Sequence, residues 1–399
     1  MQDGVIACIL ILSFVSPCLC LKKWNFGLEA NESTYHNVIN YEAKGDAKSD
    51  NSQELLSAWK KACGAQGKQS VVIPKEKVFM VKNLQLNGPC KASSIHIQLL
   101  GKIVAPSMEQ WGSHKNDLIT ISNVKSLTID GGGHIEGKGK TWWDKCGRKC
   151  PRPRLVQFHA CNDLSVSSLH ISNSPGAHIS INSCENAKFF KMNIIAPANS
   201  PNTDAYDIST SKHITFEDST LAVGDDCIAI NTGSSFIYAN RIKCGPGHGI
   251  SIGSLGKNNA HETVEEVHVK DCTFTGTTNG ARIKTWEGGS GYVRKVSFEN
   301  IKVKDTRNPI IINQHYGSKS PNNGAKSLQI SDVTFKGFEG SSADENAISL
   351  TCSSNGCSNI KLDQINIVSS NSQRKAHASC INAHATVGKV IPNVPCKSK

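Results

Sequence analysis

Residues 203–252 contain three segments that align at one step: Thr203-Asp-Ala-Tyr-Asp-Ile208, Asp225-Asp-Cys-Ile-Ala-Ile230 and Gly247-His-Gly-Ile-Ser-Ile252. Asp204, Asp226 and His248 recur every 22 residues, as do Tyr206, Ile228 and Ile250, and again Ile208, Ile230 and Ile252. A fixed step of this kind marks a chain that coils and stacks each turn on the last. Neighbouring strands lie about 4.8 Å apart. The repeat therefore predicts a ladder of two carboxylates and one imidazole on successive rungs, a layout suited to acid–base chemistry along a surface groove.

Outside this stretch, short strand-like runs alternate with polar turns from about Ile95 to Ile367. Leu118-Ile-Thr-Ile, Ser126-Leu-Thr-Ile, Leu164-Ser-Val, His178-Ile-Ser-Ile, Val296-Ser-Phe, Ile310-Ile-Ile and Ser327-Leu-Gln-Ile are examples, with Asn, Ser, Gly and Asp between them. Helical spacing is confined to Ser52–Cys63, where Leu55, Leu56, Trp59 and Ala62 recur on one face. A β-sandwich also has many short strands, but its turns recur every 8–12 residues. Three coils at one longer step favour an all-β fold, a single right-handed parallel β-helix. The helix would cap the open N-terminal end, which as a bare sheet edge would aggregate. No linker marks a second domain.

Residues 1–20 hold an apolar run, Val5 to Val15, too short for the roughly 20 residues that span a bilayer. They read as a secretory signal cut near Cys20, although Asp3 stands where a base is usual. Residues 21–399 would then be the β-helix domain. Of 16 cysteines, 13 lie beyond the signal. An odd count in a secreted chain implies several disulfides and one spare thiol. Close spacing suggests Cys227 with Cys244, Cys352 with Cys357, Cys380 with Cys396, and Cys146 with Cys150. Metal binding is the weaker reading, because no CxxC pair faces another. Asn31-Glu32-Ser33 is a glycosylation sequon.

The formal charge is +11, and an excess of positive charge attracts polyanions. No basic cluster is interleaved with aromatics, which disfavours nucleic acid. For a secreted chain, acidic polysaccharide is the natural partner.

Four segments carry chemistry: Ser200-Pro-Asn-Thr-Asp204, Gly224-Asp-Asp-Cys227, Gly245-Pro-Gly-His-Gly249 and Arg282-Ile-Lys284. In this order and spacing they resemble the signature motifs of the polygalacturonases, the glycoside hydrolases of family 28, in the style of plant members. Val38-Ile-Asn-Tyr-Glu-Ala-Lys-Gly-Asp46 and Pro309-Ile-Ile-Ile-Asn-Gln-His-Tyr316 extend the similarity over nearly all the mature chain. One motif alone would be weak, because Asp pairs commonly cap turns; four in order are specific.

The resemblance implies hydrolysis of α-1,4 bonds in polygalacturonate with inversion, without metal or organic cofactor. It implies Asp225 as general acid, Asp204 and Asp226 as the pair activating water, and His248 as a tuning partner of Asp225. Three carboxylates this close cannot all ionise easily, so one should be raised and supply a protonated acid. Arg282 and Lys284 alternate and so share a strand face. Together they suit the carboxylate of a galacturonate unit, Arg as a fork and Lys as a point charge. The resemblance adds Asn202 and Tyr316 as substrate contacts. The enzyme is expected in the cell wall, as a monomer, with no membrane attachment once the signal is gone.

Several positions depart from the family pattern. Ala205 replaces the glycine after Asn-Thr-Asp, Glu42 another glycine, Asn313 an aspartate, and Gly317 the cysteine that often follows the tyrosine. Parity poses a second difficulty. If Ile228 and Ile230 face inward, strict alternation buries Asp226 as well, at high cost. The chain must bend before each strand, and Gly224, Gly247 and Gly249 would permit it. Two other functions compete: a pectate or pectin lyase, whose Ca²⁺ a cluster of Asp could bind, and an inactive pectin-binding homologue.

Overall fold

The computed structural model describes residues 34–111, 117–147, 149–320, 322 and 324–396. The signal at 1–20 and the sequon at 31–33 lie outside them, as does the side chain of Cys146. Among the described residues no helix is long and apolar enough to cross a membrane.

The helix α1 runs over Ser52–Gly64, as its spacing predicts, and buries Leu55, Ala58, Trp59 and Ala62. The Trp59 indole donates to the carbonyl of Asn87 (3.2 Å), at the end of the first strand of the sheet that α1 covers. A Cys63–Cys90 disulfide ties its last turn to the next segment, a pairing that 27 residues of separation hid from the sequence.

Beyond α1 the chain winds as a right-handed parallel β-helix. One sheet of eleven strands carries the motifs. Its strands are β1 (Leu84–Asn87), β2 (Ile119–Ser122), β3 (Val156–His159), β4 (Ile179–Asn182), β5 (Tyr206–Ser209), β6 (Ile228–Ile230), β7 (Ile250–Leu255), β8 (Asn279–Thr285), β9 (Asn308–Asn313), β10 (Asn346–Thr351) and β11 (His377–Ile381). Each pairs in parallel with the next. The expected register holds: Tyr206 pairs with Ile228 and Ile228 with Ile250, while Ile208 pairs with Ile230 and Ile230 with Ile252. These six side chains are buried inside the coil, where Phe189 stacks on Phe216 at 5.5 Å and Tyr206 meets Phe216 at 4.5 Å.

The step of 22 is local. The next partners are Ile250 with Ala281, Ala281 with Ile310 and Ile310 with Ile348, so later coils carry insertions. Strands on the other faces also run longer than the expected three to five residues. Ser290–Thr306 is one ladder of 17 residues, bent at Lys295, Asn300 and Asp305, each with φ of 51 to 55°. Asn186, His213, Phe236, Glu266, Lys295, Asp332 and Asn359 stack in one such corner, all with φ between 51 and 57°. Left-handed backbone costs an L-residue about 1–2 kcal/mol. The stacked ladders on both sides hold it, and the corner therefore leaves no glycine signature.

Three of the four close cysteine pairs form as expected: Cys227–Cys244, Cys352–Cys357 and Cys380–Cys396. In place of one spare thiol, Cys161, Cys184 and Cys272 are free and buried. They stand in for serine. Cys184 Sγ accepts the backbone N–H of Cys161 (3.4 Å), just as Ser211 Oγ accepts that of Cys184 (3.1 Å) one coil on. Cys272 Sγ likewise accepts the N–H of Ile242 (3.4 Å). A Cys184→Ser variant should unfold in urea close to wild type. Cys184→Ala, which orphans a buried N–H, should lose about 1–3 kcal/mol.

Candidate active site

The residues of the first three motifs sit in the irregular segments that precede β5, β6 and β7, and Arg282 and Lys284 lie within β8. These segments stack as the strands do. The N–H of Ala205 donates to the carbonyl of Asp226 (3.0 Å), that of His248 to Asp225 (2.7 Å), and that of Cys227 to Gly249 (2.8 Å). The regular strand begins only at Ile228. This resolves the parity difficulty, because the bend at Gly224–Cys227 turns Asp226 away from the interior before alternation starts. Two glycines make the close approach possible. A Cβ on Gly224 would lie 2.0 Å from the carbonyl oxygen of Ser200, and one on Gly249, whose φ is 82°, 2.2 Å from that of Asn279. Thr203 serves the turn, its hydroxyl accepting the N–H of Gly224 (3.0 Å).

Asp226 is the anchor. Its side chain is 2 % exposed and meets Arg282 Nη2 at 2.6 Å and Lys284 Nζ at 2.9 Å. Ser251 Oγ donates to it at 2.8 Å and accepts Arg282 Nε at 2.8 Å. Ser251 pairs with Arg282 across β7 and β8, so both occupy the outer face. Arg282 and Lys284 thus share a face, as their alternation predicts, but both already hold a partner within the protein. Removing one member of a buried ion pair costs about 3–5 kcal/mol, so the three side chains act as a unit.

Asp225 has a different set of partners. Its Oδ1 meets His248 Nδ1 at 2.8 Å, and its Oδ2 accepts Asn202 Nδ2 at 3.3 Å. Arg152 Nη2 in turn donates to Asn202 Oδ1 (2.9 Å). Nothing in the Cys150-Pro-Arg-Pro-Arg154 loop marks Arg152 as part of the site, because only folding brings it across 50 residues. Burial pushes the Asp225 carboxyl up, but the His248 hydrogen bond and charge, with Lys284 and Arg282, outweigh it and leave it below the ordinary value.

Asp204 behaves oppositely. Burial first, then the charges of Asp225, Asp226 and Asp207, raise its carboxyl well above the ordinary value. Crowding predicts one raised carboxyl among the three; it is Asp204, which lacks a cation of its own, and not Asp225, the acid that the resemblance implies. His178 also escaped the sequence reading. It is fully buried and held neutral, its pKa pushed down to about 4 by burial. Its Nδ1 lies 3.0 Å from the carbonyl oxygen of Asp204, which fixes the backbone of that residue.

Tyr316 stands edge-on to Trp286, and Lys284 Nζ lies 5.4 Å from the Tyr316 ring. The expected residues are therefore brought together: Asp204, Asp225, Asp226, His248, Asn202, Arg282, Lys284 and Tyr316. Asp225, Asp226 and His248 offer ligand atoms within 4.8 Å of one another. Both oxygens of Asp226 already accept from cations, so a divalent ion there would meet the charges of Arg282 and Lys284 at short range.

The site lies within residues 63–389, which match the model of glycosyl hydrolases family 28. A chain named as a probable polygalacturonase of Arabidopsis thaliana is 40% identical over 366 residues, covering 90% of this chain and 80% of that one. Polygalacturonase QRT2 of the same plant is 37% identical, with 89% and 83% covered. Among solved structures, the endo-xylogalacturonan hydrolase of Aspergillus tubingensis superposes with a TM-score of 0.79 at 25% identity, over 89% of this chain and 98% of its own.

The raised Asp204 has a thermodynamic consequence. Between the unfolded value near 3.9 and its folded value, the native state binds the extra proton. The stability it contributes is complete below about 3.9 and is lost as pH rises through the folded value. Asp204→Asn, which cannot ionise, should melt near wild type in acid and increasingly above it as pH rises. A constant gap between the two melting curves would contradict the assignment.

Proposed function

The chain belongs to the glycosyl hydrolases of family 28, and we propose that it is a polygalacturonase that hydrolyses the α-1,4-galacturonosidic bonds of pectin with inversion. The observation that carries this reading is the division of labour among three adjacent carboxyls. Asp225 is tied to His248 and Asn202, Asp226 to two cations, and Asp204 to neither.

Cleavage needs a proton on the leaving oxygen and a water at the anomeric carbon. Substrate that excludes water disfavours the charged carboxylate, so Asp225, lowered in the free protein, takes up a proton there. Hydrogen-bonded to His248, it passes that proton to the glycosidic oxygen as the C–O bond breaks. A water held between Asp204 and Asp226 forms the new C–O bond. Its proton goes to Asp204, which acts in the fraction of molecules where that raised carboxyl has ionised, a fraction that grows as pH rises. Arg282 and Lys284 keep Asp226 charged and oriented, and face the galacturonate carboxylate with the remainder of their fields. Asn202 positions Asp225, and Tyr316 borders the sugar.

Residues 1–20 serve as a removable signal and residues 21–399 as the catalytic domain. The enzyme works outside the cell as a monomer in pectin remodelling or degradation, with no nucleic-acid partner, no membrane anchor and no cofactor. Its charge of +11 draws it to an acidic polymer.

Asp225→Asn should lower kcat on polygalacturonate about 10²- to 10⁴-fold with little change in KM, as followed by the appearance of reducing ends. Unchanged release of reducing ends would remove Asp225 from its role. An ultraviolet-absorbing unsaturated product, or loss of activity with chelator, would instead indicate the lyase.

A further inference from the structure

Trp286 continues the alternation of Arg282 and Lys284, so it leaves β8 on the face that carries the site. Its ring is half-buried. Tyr316 stands against it at 5.5 Å with an interplanar angle of 87°. Lys257 Nζ lies 5.4 Å from its centroid. These residues come from three successive coils. Lys257 follows Leu255, which pairs with Thr285, and the N–H of Tyr316 donates to the carbonyl of Thr285 (3.1 Å). Lys257, Trp286 and Tyr316 therefore rise along one wall beside Lys284. Lys257 is exposed and has no ion-pair partner among the described residues.

Gly317 explains how the indole is seated. Its φ is 75°, and a Cβ there would lie 2.3 Å from two atoms of the six-membered ring of Trp286. The cysteine that the family resemblance suggested at this position would collide with the indole. The departure at 317 and the presence of Trp286 in the wall are one feature.

We propose that Trp286 and Lys257 form a further galacturonate-binding subsite, beside the unit that Arg282 and Lys284 face. The apolar C–H face of a pyranose ring stacks on the indole, and its carboxylate pairs with the Lys257 ammonium. The proposal rests on the polygalacturonase reading. An aromatic surface recognises the sugar face and a flexible point charge recognises the acid, and both are present here with a spare valence. In the free protein Lys257 rests over the ring as a cation–π pair. Such exposed pairs are weak, so the lysine can leave for a carboxylate.

The test uses the full-length enzyme and initial rates on long polygalacturonate. Trp286→Ala and Lys257→Met should each raise KM about five- to tenfold with kcat little changed. Trp286→Phe should recover most of the loss, and the Lys257→Met effect should fade at high salt. Gly317→Ala, which displaces the indole, should resemble Trp286→Ala. If Trp286 only packs on Tyr316, Trp286→Ala will lower the melting temperature and leave KM unchanged, which overturns the proposal. Lys257→Met removes an exposed charge and decides the matter even if Trp286→Ala fails to fold. Active wild type with KM unchanged in both variants sinks the subsite alone. Wild type without hydrolysis sinks the polygalacturonase reading and the subsite with it.

Discussion

A parallel ladder fixes the height of whatever precedes each strand. With Tyr206, Ile228 and Ile250 in register, the residues two positions earlier are carried to successive rungs about 4.8 Å apart. Asp204, Asp226 and His248 are thus stacked by the backbone, not by contacts of their own. The buried isoleucines inside the coil and the backbone bonds between the preceding segments hold that spacing. Without this constraint three carboxyls and an imidazole would have no reason to stay together.

Once stacked, the carboxyls repel, and the site's chemistry follows from how the repulsion is relieved. Asp226 is compensated by Arg282 and Lys284 from two coils on. Asp225 is compensated by His248 and Asn202. Asp204 is left with the remaining strain and responds by holding its proton more tightly. In the free protein the raised carboxyl is Asp204 and the lowered one Asp225, so the proposed roles need substrate to bring a proton to Asp225 and to find Asp204 ionised. The same cations that steady Asp226 also set the sign of the potential a uronate carboxylate meets on entry.

Much of this was legible in the sequence, for a physical reason. Tyr206, Ile228 and Ile250 repeat at one step because no insertion interrupts those coils, and a helical period at Ser52–Cys63 cannot be mistaken for a strand. The register, the capping helix and the stacking of Asp204, Asp226 and His248 came from those signals, whereas Asp225, Asn202 and Tyr316 came from the resemblance of the motifs. What remained hidden depends on long-range contact. The Cys63–Cys90 bond, the reach of Arg152 to Asn202, and His178 beneath Asp204 are set by loops of differing length. The left-handed corners at Lys295, Phe236 and Glu266 use residues that carry no turn signal. The raised proton affinity of Asp204 could not be placed either. Crowding predicts that one carboxyl must yield, but only the positions of Arg282, Lys284 and His248 decide which.

The central claim is that one water, held between Asp204 and Asp226, attacks on the face opposite the bond that Asp225 protonates. The stereochemistry of the first product tests this most directly. Proton NMR of a polygalacturonate digest in its first minutes should show the β-anomer at the new reducing end, with the α-anomer growing in later by mutarotation. An α-anomer appearing first would mean retention through a covalent intermediate, and would contradict the account.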